Sequence, residues 1–309
     1  MKVVFAFFRL IRFPNLVFIA LTQLLFRFFV LPFVYSGYGG SLEKIRLVPH
    51  LFYSLLWASV LIAAAGYIIN DYFDVNIDLI NKPSKLIIGR HIKRRWAIFF
   101  HISFSLIGLL LSIFVGFRLR NLYVPGFNLL SIIALWLYST TFKKKLLIGN
   151  LLIALLTAWV ILVLTFAEYR FQIYPSTQLW KGLLKLSFFY AGFAFMISIV
   201  REAVKDMEDL PGDAAYNCTT MPIVWGMQAA KVFVAVWLVV IIAAIGGILI
   251  YVIQLGWWPA ALYSLVTILL PLGWILRNLQ PAKTPEDFHR LSSMVKFVML
   301  TGILSMLFF

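Results

Sequence analysis

Most of the 12 carboxylates in this 309-residue chain fall in two short clusters. Asp71, Asp74 and Asp78 form the first; Glu202, Asp206, Glu208, Asp209 and Asp213 form the second; only Glu43, Glu168, Glu286 and Asp287 lie elsewhere. Asn70, Asp74 and Asp78 recur at i, i+4 and i+8. On an α-helix that spacing makes one stripe of oxygen donors. Glu202, Asp206, Asp209 and Asp213 follow at i, i+4, i+7 and i+11. Pro211-Gly212 predicts a helix end there, which puts Asp213 in the next loop. Like charges one turn apart repel, and an acid at the centre of a bilayer costs roughly 2.5–3.5 kcal/mol on insertion scales, less near the interface. One such cluster reads equally well as a solvated helix end, but two fit that poorly and call for bound cations. Hard oxygen ligands suit Mg²⁺ or Mn²⁺ rather than zinc. The candidate donors are Asn70, Asp71, Asp74 and Asp78, with Asp206, Asp209 and Asp213.

Basic residues accompany the acids. Lys82, Lys85 and Arg90 follow the first cluster, Arg201 and Lys205 lie within the second, and Lys143, Lys144 and Lys145 form a run between them. Carboxylates and cations at one membrane face point to a polyanion held through bridging Mg²⁺, which binds through one or two carboxylates plus substrate phosphates. A diphosphate fits, because it leaves readily only when metals and basic side chains neutralise its developing charge. The run Lys93, Arg94 and Arg95 is explained by topology alone.

The elements that position these residues are membrane helices. The chain is 62% hydrophobic and 13% charged, against roughly 25% charged residues in a soluble domain. Segments long enough to span a bilayer, about 20 apolar residues each, are Asn15–Tyr35, Pro49–Asn70, Trp96–Phe117, Leu122–Phe142, Leu146–Ala167, Trp180–Val200, Ala229–Ile253, Trp257–Leu276 and Ser292–Phe309. This predicts an all-α membrane protein of nine transmembrane helices, forming a single domain over residues 1–309. The N-terminal apolar run has no small-residue cleavage site and is read as a retained first helix rather than a signal peptide. With the N-terminus in the cytoplasm, most of the 27 Lys and Arg residues fall inside, and only Lys44, Arg46, Arg118, Arg120, Arg170, Lys181 and Lys185 fall outside. Both acidic clusters then face the cytoplasm. The net charge of +15 is accounted for by this bias and not by nucleic-acid binding. The lone Cys218 allows no internal disulfide, and the four histidines lack metal-ligand spacing. Aromatic residues, 17% of the chain, include Phe29, Tyr67, Tyr72, Phe73, Trp136 and Tyr138; such faces can stabilise an allylic carbocation.

These motifs resemble those of the UbiA superfamily of intramembrane prenyltransferases. Residues 70–78 look like its N-D-x-x-D-x-x-x-D, followed by Asn81-Lys82-Pro83 like its N-K-P. Leu137-Tyr138-Ser139, the lysine run and Gly149-Asn150 resemble its middle segment. Residues 201–213 look like its second Asp-rich motif, and Thr220-Met221-Pro222 like the T-L-P after it. The second motif is nearest to the branch that includes digeranylgeranylglyceryl phosphate synthase and chlorophyll synthase. The resemblance implies nine helices in a bundle around a central cavity. It implies one Mg²⁺ on Asn70, Asp74 and Asp78 and another on Asp206, Asp209 and Asp213, with Lys85, Tyr138, Lys143, Arg201 and Lys205 on the diphosphate. Lys85-Leu86 departs from a common Arg-Pro, and Asn217 and Thr219 stand where Gly and Lys are frequent. A lysine keeps the charge of arginine but loses its bidentate fork.

The expected activity is Mg²⁺-dependent transfer of a geranylgeranyl-like group from its diphosphate to a lipophilic acceptor, such as geranylgeranylglyceryl phosphate, in the cell membrane. A terpene cyclase on the same scaffold would ionise the same donor without an acceptor. A CDP-alcohol phosphotransferase would need a D-G-x-x-A-R signature that this sequence lacks. A divalent-cation transporter, the non-enzyme alternative, should carry its acids near mid-membrane.

Overall fold

The structure is a computed structural model, and it describes residues 2–37, 42–81, 83, 86–169 and 178–309. Lys82 and Lys85 lie outside the described residues. Among those residues there are fourteen α-helices and no strand: α1 (Lys2–Leu10), α2 (Phe13–Leu25), α3 (Leu31–Gly37), α4 (Pro49–Asn81), α5 (Arg94–Leu119), α6 (Tyr123–Thr140), α7 (Ile148–Glu168), α8 (Gln178–Glu208), α9 (Leu210–Ala215), α10 (Met221–Val224), α11 (Met227–Gln254), α12 (Trp258–Ser264), α13 (Leu270–Leu279) and α14 (Pro285–Leu304). Nine helical stretches among the described residues are long and apolar enough to cross a membrane. Two of them join shorter helices through a π-helical turn: Phe26–Val30 links α2 to α3, and Leu265–Leu269 links α12 to α13. The chain is a multi-pass integral membrane protein. Its lipid-facing surface shows in exposed apolar side chains such as Phe99, Leu106 and Phe117 on α5.

The two helices that carry the acidic motifs outrun the spans expected from hydropathy. α4 continues past Asn70 to Asn81, and α8 past Val200 to Glu208. Both acidic motifs therefore ride on the polar ends of membrane helices. One expectation is corrected. Asp213 lies not in a loop but in the short helix α9, whose first turn contains Pro211. Proline breaks a helix interior yet suits a first turn, where its missing N–H has no partner to lose. The chain accordingly bends at Asp209 and restarts, and Asp213 N donates to Asp209 O at 3.2 Å.

The described chain divides into two compact units, residues 1–143 with 159–191, and residues 144–158 with 192–309. In the first unit α4 packs on α5 and α6. The approach of α4 to α6 is close, since a Cβ on Gly66 would meet Leu135 at 2.8 Å; small residues permit such contact between membrane helices. Buried amides supply cross-links: Gln23 Nε2 donates to Ser59 Oγ at 2.9 Å and to Val160 O at 3.0 Å, and Trp159 Nε1 donates to Asn128 Oδ1 at 2.9 Å. A second apolar cluster joins α1, α4, the start of α5 and the segment before it, through Leu10, Ile68, Ile88, Ile92 and Ala97. The second unit has one core of α8, α11, α13 and α14, including Val204, Val234, Leu272 and Val298. Lys231 closes its polar end by donating to the carbonyls of Gln280 and Ala282 at 2.8 and 2.6 Å.

Candidate active site

In the first unit the acidic stripe sits on the last turns of α4. Asn70 and Asp74 are one turn apart, and Asn70 Nδ2 donates to Asp74 Oδ2 at 2.7 Å. The other carboxylate oxygen of Asp74 forms an ion pair with Lys143. Lys143 reaches it because α6 ends at Thr140 and a 3₁₀ turn, Phe142–Lys144, follows. Tyr138, in the last turn of α6, and Asp78, one turn beyond Asp74, are half-buried. Asn70 Oδ1 is buried with no hydrogen-bond partner among the described residues. An acceptor left in that state costs about 1–3 kcal/mol, and a hard cation would satisfy it.

Asp71, expected among the metal donors, pairs with Arg12, whose Nη2 lies 2.8 Å from its Oδ1. Burial by itself lowers the pKa of Arg12, but the charge of Asp71 and the hydrogen bond to it outweigh that and raise it. The guanidinium is therefore a fixed cation. In the sequence Arg12 reads only as part of the cytoplasmic bias of Lys and Arg. Its role could not be read there, because Arg12 and Asp71 are 59 residues apart. Arg94, likewise read as topology, lies over the Tyr72 ring at 4.8 Å.

In the second unit Asp206 accepts from Asn150 Nδ2 at 2.8 Å. Asn150 stands in the first turn of α7 and is the second residue of the Gly149-Asn150 pair. As a neutral amide it carries no charge signal in the sequence that would single it out as a partner of Asp206. Arg201 pairs with its neighbour Glu202 at 2.6 Å, and Glu208 with His289 of α14 at 2.9 Å. Lys205 is half-buried one residue before Asp206. The segment after the motif is tied down as well: Cys218 N donates to Asp213 O at 3.0 Å, and Thr219 donates through both N and Oγ1 to Lys144 O at 2.8 Å.

Among the described residues, no three His, Cys, Asp or Glu side chains are gathered closely enough to make a ready ligand set. The side-chain oxygens that Asn70, Asp74 and Asp78 carry on α4 are of the kind that suits Mg²⁺, which takes few protein ligands besides water and substrate phosphates.

Long apolar helices, two of them ending in acidic motifs, define an integral membrane protein with oxygen-rich helix ends. The chain belongs to the UbiA prenyltransferase family, whose profile matches residues 16–300. It is 29% identical over 275 residues to the digeranylgeranylglyceryl phosphate synthase of Korarchaeum cryptofilum, covering 88% of this chain and 86% of that one. Its fold is similar to that of a UbiA homologue from Aeropyrum pernix, with TM-score 0.63, 15% identity and 99% of each chain covered. A UbiA homologue from Archaeoglobus fulgidus bound to DMAPP and Mg²⁺ matches with TM-score 0.56 and 14% identity, over 97% of this chain and 98% of that one.

Proposed function

We propose that this prenyltransferase uses Mg²⁺ to move a geranylgeranyl-like group from its diphosphate to the free hydroxyl of geranylgeranylglyceryl phosphate. The observation that carries the reading is the likeness to the Korarchaeum cryptofilum synthase across 88% of the chain. The buried, unpartnered Asn70 Oδ1 beside Asp74 supports the metal, as does the Mg²⁺ and DMAPP bound by the Archaeoglobus fulgidus homologue. Asn70, Asp74 and Asp78 would hold one ion, and Asp206, Asp209 and Asp213 a second. Bound Mg²⁺ would offset the charge that builds on the diphosphate as it leaves.

Lys143, Arg201 and Lys205 add fixed positive charge for the diphosphate, with Lys85 and Tyr138 as further contacts. The C1–O bond of the donor breaks with carbocation character and diphosphate departs. The acceptor hydroxyl oxygen then bonds to C1 and releases its proton. Residues 1–309 act as one catalytic domain in the cell membrane, with the N-terminus and both acidic motifs on the cytoplasmic side, as the bias of Lys and Arg supports.

The test uses purified protein with labelled geranylgeranyl diphosphate, with and without Mg²⁺, against a panel of acceptors. The expected result is Mg²⁺-dependent release of diphosphate with label joined to geranylgeranylglyceryl phosphate. Label joined only to a quinone ring precursor or to a chlorophyllide would reassign the acceptor. A cyclised hydrocarbon formed without acceptor would overturn the transfer reading.

A further inference from the structure

The chain turns between α1 and α2 at Arg12, whose φ of 49° lies in the left-handed region. A non-glycine residue held there costs roughly 1–2 kcal/mol. Such strain persists only where the surroundings impose it. The Arg12 backbone is tied on both sides: its N–H donates to Arg9 O at 3.0 Å, and its carbonyl accepts from Asn15 N at 2.8 Å.

The side chain then crosses to α4. Nη2 meets Asp71 Oδ1 at 2.8 Å, and the guanidinium carbon lies 5.2 Å from the centroid of the Tyr67 ring. Tyr67 and Asp71 are one turn apart on α4, so a single planar cation grips a full turn of the helix. That turn contains Asn70 and leads straight into Asp74. Beneath it, Leu10, Ile11 and Leu16 pack with Ala64 and Ile68 of α4 and with Ile87, Ile88 and Ile92. The apolar contacts fix the depth of α4 against α1 and α2, but apolar contacts are not directional. The guanidinium, which donates to one carboxylate oxygen and covers one ring face, fixes its rotation.

We propose that Arg12 is a positioning residue for metal binding: it withdraws Asp71 from the ligand set and sets the rotation of α4 at which Asn70 Oδ1 and Asp74 meet the cation. The inference rests on the reading of Asn70 and Asp74 as Mg²⁺ ligands. Asp71 is then the anchor of the site and not part of its coordination shell.

The test compares the full-length chain in detergent with Arg12→Gln, Arg12→Lys, Asp71→Asn and the double variant Arg12→Gln/Asp71→Asn. Binding of Mn²⁺ alone is followed by electron paramagnetic resonance, and the Mg²⁺ dependence of turnover and the thermal midpoint are measured alongside. Arg12→Gln is expected to weaken Mn²⁺ binding and to raise the half-saturating Mg²⁺ concentration about tenfold, the lower end of what losing an outer partner of a metal ligand costs. Turnover at saturating Mg²⁺ is expected to be largely kept. Arg12→Lys, which keeps the charge, should recover most of the affinity. The double variant should be no worse than the worse single variant, because both changes remove the same pair.

Lower thermal stability with unchanged metal affinity would overturn the proposal and leave Arg12 a purely structural residue. A larger metal effect from Asp71→Asn, adding to that of Arg12→Gln, would overturn it by making Asp71 a direct ligand. Wild-type protein that shows neither Mn²⁺ binding nor Mg²⁺ dependence would sink the Mg²⁺ reading itself, and this inference with it.

Discussion

Lys143 and Asn70 divide the carboxylate of Asp74 between them: the ammonium pairs with Oδ1, and the amide donates to Oδ2 at 2.7 Å. Lys143 thus occupies Asp74 as an internal counter-ion, and a metal ion that takes Asp74 must compete with it. In the proposed site the substrate diphosphate would offer Lys143 a new partner when it gives up the old one. Metal and diphosphate binding would then be coupled through a single lysine, and such coupling is reciprocal. Lys143→Gln should bind Mn²⁺ more tightly than wild type in the absence of diphosphate. The same variant should show a KM for the donor raised about tenfold or more, since a hydrogen bond to a charged group contributes roughly 1.5–3 kcal/mol. Resonance titration with Mn²⁺ alone, set against steady-state kinetics, separates the two effects. Weaker Mn²⁺ binding in the variant would refute the competition.

Asp74 and Asp209 test the metal assignment directly. Each lies on a different acidic motif, and neither belongs to an apolar core. Asp74→Ala and Asp209→Ala should lower turnover by at least about 10²-fold, the scale at which removing a single transition-state charge stabiliser is felt. The thermal midpoint should move little. Full activity in either purified variant would remove that aspartate from the ligand set.

The helical stripe at Asn70, Asp74 and Asp78 was legible in the sequence because its partners are one turn apart on one helix, and period is what sequence displays. The membrane helices were legible for the same reason, since each is a local apolar run. Pairings across the chain were not. Arg12 with Asp71, Lys143 with Asp74, and Asn150 with Asp206 join residues 59, 69 and 56 positions apart. Which lysine or asparagine meets which acid depends on helix packing that no local pattern encodes. The break at Asp209 was visible as Pro211-Gly212, but a proline both ends one helix and opens the next, and here it did both. The π-helical turns at Phe26–Val30 and Leu265–Leu269 left no mark in composition.

Asn150 yields a prediction that the acidic motif alone would not. Its side-chain amide holds one oxygen of Asp206 at 2.8 Å. Leucine there keeps the volume but cannot donate. Asn150→Leu should raise the half-saturating Mg²⁺ concentration about tenfold by freeing a ligand to rotate, while aspartate at 150 should be worse because a second carboxylate repels the first. A Mg²⁺ titration of turnover in both variants, with the thermal midpoint as control, checks the order. Equal affinity in wild type and Asn150→Leu would show that Asp206 needs no such orientation.

Glu168 separates stability from catalysis. It is buried at the end of α7, 2% exposed, and far along that helix from Asn150 in its first turn. Oε1 accepts from Leu47 N at 2.9 Å; Oε2 accepts from Arg46 N at 3.0 Å and from Tyr35 Oη at 2.9 Å. The Arg46 side chain continues the knot by donating to the carbonyls of Tyr169, at 2.6 Å, and Leu119. One carboxylate therefore ties the segment before α4 to the ends of α3 and α7. Glu168→Ala would strand three donors, each costing about 1–3 kcal/mol when buried and unpaired. The expected outcome is a loss of about 3 kcal/mol or more, read as a clear fall in thermal midpoint in detergent. Glu168→Gln keeps an acceptor and should lose less. The Mn²⁺ affinity of whatever protein remains folded should match wild type, because none of the acids on α4 or α8 is touched. A change in metal affinity without loss of stability would mean that this knot is coupled to the acids on α4 or α8.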